Sequence, residues 1–436
     1  MQTVLLAAGQ GTRMRPLTDR RPKPMLPVAG EPLAAHTARA AVAAGATRLV
    51  LVVGYEAAAV REHFGDEFAG VPVTYAVQDR QRGTADAVRA AAAHLDDEPF
   101  VVLNGDALYD HASLTTLYDA GPAVGSFRVE NPSAYGVLHL ADDAIADDAT
   151  EASADAVDAD TETTVDTADE TTVGADDETA VEELPRVTGV TEKPADPPSN
   201  LVNTGAYVFP AAAHEWLDVS ESERGEAELT DVLARACEMT TVRAVSFERW
   251  LDVGRPWELL AANEWRLGDL DRRIDGEVHA DAELRGDVVV EAGAHVDSGV
   301  VIEGPALIQS GAEVGPNAYV RGATLLGPDT KVGHAVEVKN SVLMGGATVG
   351  HLSYVGDSVL GRDVNFGAGT TVANLRHDDA AVETVVKGER VSTGRRKYGV
   401  VCGDGVKTGI QTSLNAGVVL DTDETTIPGE RVLTGE

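Results

Sequence analysis

The chain of 436 residues has two cysteines, Cys237 and Cys402, too few for a disulfide framework and without metal-site spacing. Aromatic residues make up 5% of it, so a core has to be built from aliphatic side chains and alanine. No apolar run approaches membrane-spanning length, and the N-terminus enters an apolar strand, not a signal peptide. A cytoplasmic location is expected. Basic residues are scarce, with 35 Lys and Arg against 71 Asp and Glu, and the formal net charge is -36. That balance excludes nucleic acid or an anionic membrane as a general partner. Residues 141–184 hold seventeen of the acidic residues and no Lys or Arg. The excess elsewhere still implies a densely carboxylated surface, suited to a high-salt cytoplasm.

What is plentiful is hydrophobic content (43%) and glycine (44 residues), enough for two or three domains with a turn-rich part. Residues 1–266 alternate strand and helix patterns. Val4–Leu6, Leu49–Val53, Val71–Val77 and Val101–Leu103 read as strands; Leu33–Ala44 and Thr84–Leu95 read as alanine-rich helices. This succession predicts a mostly parallel, Rossmann-like α/β sheet with ligands at the carboxyl ends of its strands. The strand Gly136–Leu140 runs into the acidic tract 141–184, which reads as a solvated, disordered insert, and the pattern resumes near Arg186.

From Val278 an apolar residue recurs every sixth position, through Leu284, Val290, Val296, Ile302, Ile308, Val314, Val320, Leu326, Val332 and Val338 to Met344. Neither helix nor strand has that period. It predicts a parallel β-helix of hexapeptide repeats, with one aliphatic side chain inward per short strand. The phase slips near Val349 and near Leu360. Residues 375–398 suspend the pattern, with a basic cluster at Arg395-Arg396-Lys397, and it returns at Val400, Val406 and Val418. The expected division is 1–266, a linker at 267–275, and 276–436.

The first strand breaks into Leu6-Ala7-Ala8-Gly9-Gln10-Gly11-Thr12-Arg13-Met14, followed by Pro16 and Pro22-Lys23-Pro24. Gly9 and Gly11 let backbone amides approach an anion, and Arg13 and Lys23 add two positive charges. Met14 stands where a dinucleotide fingerprint needs its third glycine, and no Gly-Lys-Ser/Thr follows, so this is neither that motif nor a P-loop. Asp106, after a strand, and Asp252, in Trp250-Leu251-Asp252-Val253-Gly254, are carboxylates that could share a hard cation.

The glycine string with its lysine in a proline-rich loop resembles the signature of sugar-1-phosphate nucleotidylyltransferases. The resemblance implies transfer of a nucleotidyl group from an NTP to a sugar-1-phosphate, with Mg²⁺ on Asp106 and Asp252. It implies a nucleobase side at Gln78, Gly83 and Thr84. It also implies a sugar side at Gly136, Glu192, Lys193 and Asn203, with Lys193 on the sugar phosphate and Glu192 and Asn203 on sugar hydroxyls.

In the repeat, Gly350-His351-Leu352-Ser353-Tyr354-Val355-Gly356-Asp357, Asn365 and Asn374 resemble the acetyltransferase half of bifunctional N-acetylglucosamine-1-phosphate uridylyltransferases, whose β-helix is left-handed. By that resemblance Arg321 and Lys339 hold the sugar phosphate and His351 is the general base. Tyr354 and Asn365 contact substrate, and Asn374 lies near the acetyl group. Acetyl-CoA is the implied cosubstrate; the Arg395–Lys397 cluster reads either as an ordinary exposed loop or as a clamp for ligand phosphates, which could be those of CoA. The implied assembly is a homotrimer or dimer of trimers. Leu375 and Ala380 depart from the bacterial pattern, which has an aromatic and a lysine there; Lys387 or Lys397 could stand in for the lysine. Ala373-Asn374-Leu375-Arg376 and Gly394-Arg395-Arg396-Lys397 look like the archaeal branch.

The expected function is therefore bifunctional synthesis of UDP-N-acetylglucosamine. A second reading keeps only thymidylyl or uridylyl transfer to glucose-1-phosphate, with the β-helix as a trimerisation scaffold. Pro16-Leu17-Thr18 looks closer to glucose-1-phosphate thymidylyltransferases, but His351 with Arg321 and Lys339 argues against it. A third, non-catalytic reading as a regulatory subunit is opposed by the intact Arg13, Lys23, Asp106 and Asp252.

Overall fold

The structure is a computed structural model and describes residues 1–141, 184–222 and 225–433. Its N-terminal half is built on a ten-stranded sheet. Gln2–Leu6, Arg48–Val53, Val71–Val77 and Phe100–Asn104 run parallel, and their apolar runs are buried because helices cover both faces. The covering helices are α1 (Leu33–Ala43), α2 (Ala57–Phe64), α3 (Thr84–Ala91), α4 (His111–Asp119) and α5 (Leu229–Met239), while α6 (Pro256–Gly268) packs toward the C-terminal half.

The sheet is mixed, where the alternation of elements predicts one that is mostly parallel. Leu201–Phe209 runs antiparallel between Phe100–Asn104 and Ala123–Arg128, and Gly136–Leu140 and Arg186–Glu192 form an antiparallel pair. Val242–Ser246 returns parallel to Ala123–Arg128 after α5, so antiparallel and parallel pairings mix in this half. The acidic insert lies outside the described residues except at its ends. Those ends are adjacent: Leu140 pairs with Val187, and Ala141 N donates to Arg186 O at 3.0 Å.

The C-terminal half is a parallel β-helix with three sheets of eight, six and eight short strands. Val290 lies opposite Ile308 and Ile308 opposite Leu326, so one coil takes eighteen residues, or three hexapeptides. The inward sixth residues from Val290 to Val338 are all buried in one aliphatic core. Met344 is not among them. Leu343 turns inward opposite Leu326, and Leu360 opposite Leu343, so these two coils have seventeen residues each. Met344 faces outward instead, against the N-terminal half. Val400, Val406 and Val418 are buried, but at the corners; Cys402, Leu414 and Leu420 continue the strand position. The first rung begins early, because Arg273–Ile274 pairs with Val289–Val290 inside the expected linker.

One outward face of the β-helix is apolar. Val289, Leu307, Leu325, Val342, Val359 and Val401 form a stripe across successive rungs of the first sheet. It packs on Met14, Leu17, Leu26, Trp257 and Leu260 in a core shared by both halves. Polar contacts rim it. Arg21 donates from Nη2 to Asp404 Oδ2 at 3.0 Å, with both side chains nearly buried, and Arg20 pairs with Asp423. Glu264 of α6 accepts from Arg395 with both oxygens, which takes up the first residue of the basic cluster.

Removing one member of a buried pair strands the other charge. Arg21→Met is expected to destabilise the whole chain by about 3 kcal/mol, with Arg21→Met/Asp404→Leu recovering most of the loss. Chemical denaturation checks this. A single-variant loss no larger than that of the exposed Arg39–Glu31 pair would show the contact to be incidental.

Candidate active sites

The glycine loop follows Leu6, whose strand partner is Asn104, so Gly9, Gly11 and Asp106 gather at one end of the parallel strands. Gly11 has φ +68, and a Cβ there would come within 2.6 Å of Lys23 Cβ. Only glycine lets the loop close on Lys23 in this way. A Cβ at Gly9 would meet nothing within 4 Å, so the loop is open on that side.

Strands Ala107–Tyr109 and Trp250–Asp252 pair with Ala107 opposite Asp252, and Val253 N donates to Asp106 O at 3.0 Å. This short ladder brings the two predicted metal carboxylates side by side. Buried Lys23 bridges them, its Nζ 2.7 Å from Asp106 Oδ2 and 3.9 Å from Asp252 Oδ1. Burial alone would lower the Lys23 ammonium, but Asp106 and Asp252 more than reverse that and hold it charged. Burial pushes the Asp252 carboxyl up, against the pull of Lys23, and Asp106 adds to the rise. Two hard carboxylates held side by side suit a divalent cation. Among the described residues no three His, Cys, Asp or Glu converge as a metal site. A cation here would complete its shell with water and substrate oxygens, the habit of Mg²⁺.

A cavity of about 390 Å³ opens beside Arg13 and Asp252. It is lined by Gly136, Glu192, Lys193 and Asn203, the four residues expected on the sugar side, and by Thr84 of the expected nucleobase side. Gly136 pairs with Glu192, which is in ion-pair contact with Lys193 at 3.1 Å. Asn203 Oδ1 accepts from Tyr207 Oη at 2.7 Å and from Gly205 N at 2.8 Å, which fixes its amide. Gly83, with φ +106, touches the backbone of Ala227, and Thr84 Oγ1 accepts from Leu229 N at 2.8 Å. Gln78 Nε2 donates to Gly83 O and to Asp86 Oδ2, so its amide braces this loop. Glu258 also lines the cavity and was not singled out from the sequence. Burial and the charge of Asp252 push its carboxyl up to about 7, and it accepts from Gly254 N at 2.6 Å.

In the β-helix, Arg321 and Lys339 are direct neighbours across adjacent strands. Arg321 is held by Glu337, with Nη2 to Oε1 at 2.8 Å, and Lys339 Nζ lies 3.4 Å from Asp357 Oδ2. Asn374 Nδ2 reaches Tyr354 Oη at 3.1 Å and also bonds Asp357. Asn340 Nδ2 donates to Asp357 Oδ1 at 3.0 Å and to Glu264 Oε1 at 2.7 Å. Four of the predicted residues (Arg321, Lys339, Tyr354 and Asn374) thus form one cluster around buried Asp357. His351 and Asn365 are both exposed on strands of the neighbouring sheet. Among the described residues neither the His351 ring nor the Asn365 amide bonds to the cluster.

Asp357 was missed as a hub, although it closes the very segment that drew notice. Its signal was an acidic residue at a shortened turn, which needs neighbouring coils to acquire meaning. Lys387 lines a different cavity, beside Arg13.

Residues 2–267 match the nucleotidyl transferase family and residues 302–427 the GMPPB C-terminal domain. The bifunctional protein GlmU of Methanococcus vannielii is 37% identical over 426 residues, covering 96% of this chain and 91% of the relative. That of Methanocaldococcus jannaschii is 38% identical over 421 residues, with 96% and 91% covered. A bifunctional sugar-1-phosphate nucleotidylyltransferase/acetyltransferase of Sulfurisphaera tokodaii is 34% identical over 436 residues, with 98% and 96% covered. Two separate constellations on one chain, matched along nearly its whole length, have one family in common: the chain belongs to the nucleotidyl transferases and, among them, to the bifunctional sugar-1-phosphate nucleotidylyltransferase/acetyltransferases.

Proposed function

We propose that the chain makes UDP-N-acetylglucosamine by acetyl transfer from acetyl-CoA to glucosamine-1-phosphate, then uridylyl transfer from UTP to N-acetylglucosamine-1-phosphate. The observation that carries this is the presence on one chain of both charged clusters, one around Lys23 and one around Asp357. The Asp357 cluster favours it over nucleotidyl transfer with a merely structural β-helix.

In the first centre a phosphate oxygen of the sugar-1-phosphate attacks the α-phosphorus of UTP. The bond to the β-phosphate oxygen breaks and pyrophosphate leaves. The nucleophile is already ionised, so the residues position and neutralise. Lys23 and Arg13 meet the charge that develops on the phosphates. Gly9 and Gly11 admit them to backbone amides. Glu192, Lys193 and Asn203 orient the sugar, and Gln78, Gly83 and Thr84 the base. Asp106 and Asp252 would hold Mg²⁺, which when bound offsets phosphate charge.

In the second centre Arg321 and Lys339 hold the sugar phosphate. His351 takes the proton of the amine as it attacks the thioester carbonyl, the carbon–sulfur bond breaks, and the proton returns to the CoA thiolate. Tyr354, Asn365 and Asn374 orient sugar and acetyl group. Among the described residues the exposed His351 ring and Asn365 amide have no side-chain hydrogen-bond partner, which suits a site finished by a neighbouring left-handed β-helix in a homotrimer or dimer of trimers. We retain the division into 1–266, 267–275 and 276–436 as the working boundaries of the two activities.

Three outcomes are expected of the pure protein. Asp106→Asn should lower pyrophosphate release by at least about 100-fold while acetyl transfer persists, since one metal carboxylate is lost from one centre only. Near-normal release at saturating Mg²⁺ would remove Asp106 from the metal site. His351→Ala should lower CoA-thiol release by about 100-fold or more, leaving assembly and nucleotidyl transfer intact. Thiol release at the parental rate would reassign the base. Deletion of 142–183, closed by a short turn between the adjoining strands, should spare both activities. Loss of sugar-nucleotide synthesis in a well-folded deletion variant would place the insert at the active site.

A further inference from the structure

The excursion that interrupts the repeat folds into a hairpin, Glu383–Val386 against Glu389–Ser392. Val386 lies opposite Glu389, so Lys387 and Gly388 alone make the turn. Their φ values are +53 and +82, the two-residue mirror-image turn that matches the twist of paired strands. The ladder therefore fixes where Lys387 starts. The hairpin is tied down at its base, where Thr384 Oγ1 donates to Gly417 O at 2.8 Å and Thr393 Oγ1 to Val382 O at 2.7 Å. Val382, Val386 and Val391 pack into the core shared by the two halves. A feature of the β-helix is thereby delivered onto the glycine loop of the other half.

At its tip a cavity of about 300 Å³ is lined by Thr12, Arg13, Arg15, Val386 and Lys387. Three of these five residues are cations and none is acidic. Arg15 has Asp19 at 3.4 Å, but among the described residues neither Arg13 nor Lys387 has a carboxylate within ion-pair distance. In a chain of net charge -36, most nearby cations are paired, as Lys23 and Arg21 are. Three converging cations, only one of which has a carboxylate partner, are a site for an anion of high charge density. Arg13 lines this cavity and the larger one that holds Asp252, so the two adjoin at its side chain.

We propose that Lys387, from the β-helix half, binds the β- and γ-phosphates of the nucleoside triphosphate, and the pyrophosphate formed from them, together with Arg15. The inference rests on nucleotidyl transfer at the first centre and adds that the other half of the chain completes it. The α-phosphate would lie by Lys23, with the terminal phosphates beyond Arg13 in the smaller cavity. The ligand chemistry is a linear polyphosphate. The diphosphate of CoA shares it, and the test separates the two.

Lys387→Asn is the informative variant, because Asn-Gly is the preferred sequence for this turn and only the charge is lost. In the full-length protein with Mg²⁺, inorganic tripolyphosphate is titrated calorimetrically and KM is measured for UTP and for acetyl-CoA. Lys387→Asn should bind tripolyphosphate about ten-fold more weakly and raise KM for UTP by a similar factor, with kcat held and KM for acetyl-CoA unmoved. Lys387→Arg should restore both. Equal tripolyphosphate affinity in Lys387→Asn, or a change confined to acetyl-CoA, overturns the assignment of Lys387. A parent protein that neither binds tripolyphosphate nor makes sugar nucleotide overturns the nucleotidyl reading instead.

Discussion

The apolar stripe on one outward face of the β-helix is the contact on which the rest depends. A β-helix satisfies its own backbone along its length, so its outward faces need no partner. Here one face carries only Val and Leu where a solvated face would carry charge, and it buries them on Met14, Leu17 and α6. Because Trp257 and Leu260 lie on the same helix as Glu264, the docking that removes the stripe from water also sets Glu264 between Arg395 and Asn340. It seats the hairpin beside the glycine loop as well. Two chemistries on separate folds are thereby held at fixed positions relative to one another.

Charge obeys one rule within this frame. Where a charged group is buried it has been given partners, because an isolated ion in the interior is too costly to keep. Lys23 has Asp106 and Asp252; Arg21 has Asp404; Asp357 has Lys339, Asn340 and Asn374. In each of them the opposite charges hold one another in place, which is what makes them positioning devices, although the buried Arg21 Nε has no acceptor. Arg13 and Lys387, with no carboxylate within ion-pair distance among the described residues, stand at an opening.

Much of this was legible beforehand, for physical reasons that can be named. The strands from Gln2 to Asn104 and helix α1 announce themselves because local periodicity decides them. The β-helix was plain because each hexapeptide carries its own inward residue. The gathering of Gly11, Lys23, Asp106 and Asp252 followed from motif resemblance, and the short ladder opposite Ala107 supplies the mechanism. What could not be read were features that need two distant segments at once. Leu201–Phe209 runs antiparallel because of what it pairs with, not because of its composition. Met344 looked inward by counting, yet Arg21 Nη1 meets its sulfur at 3.5 Å from the other half. Lys387 looked available to acetyl transfer, and only the course of its hairpin shows it beside Arg13.

The two seventeen-residue coils carry one more consequence. Each lacks a residue at the corner between the sheet that bears Arg321 and Lys339 and the sheet that docks on α6. Asn340 and Asp357 occupy those cut corners with φ of +45 and +50. Ser341 and Ser358 close the gap, each donating from Oγ to the carbonyl two residues before it at 2.7 Å. The tightened corner is what turns Asn340 toward Glu264 and Asp357 toward Asn374. The solenoid is thus regular where it only supports and irregular where it carries the polar cluster. Restoring the missing residue would perfect the repeat and dismantle the cluster, so in this architecture a fault in the periodicity is itself a marker of chemistry.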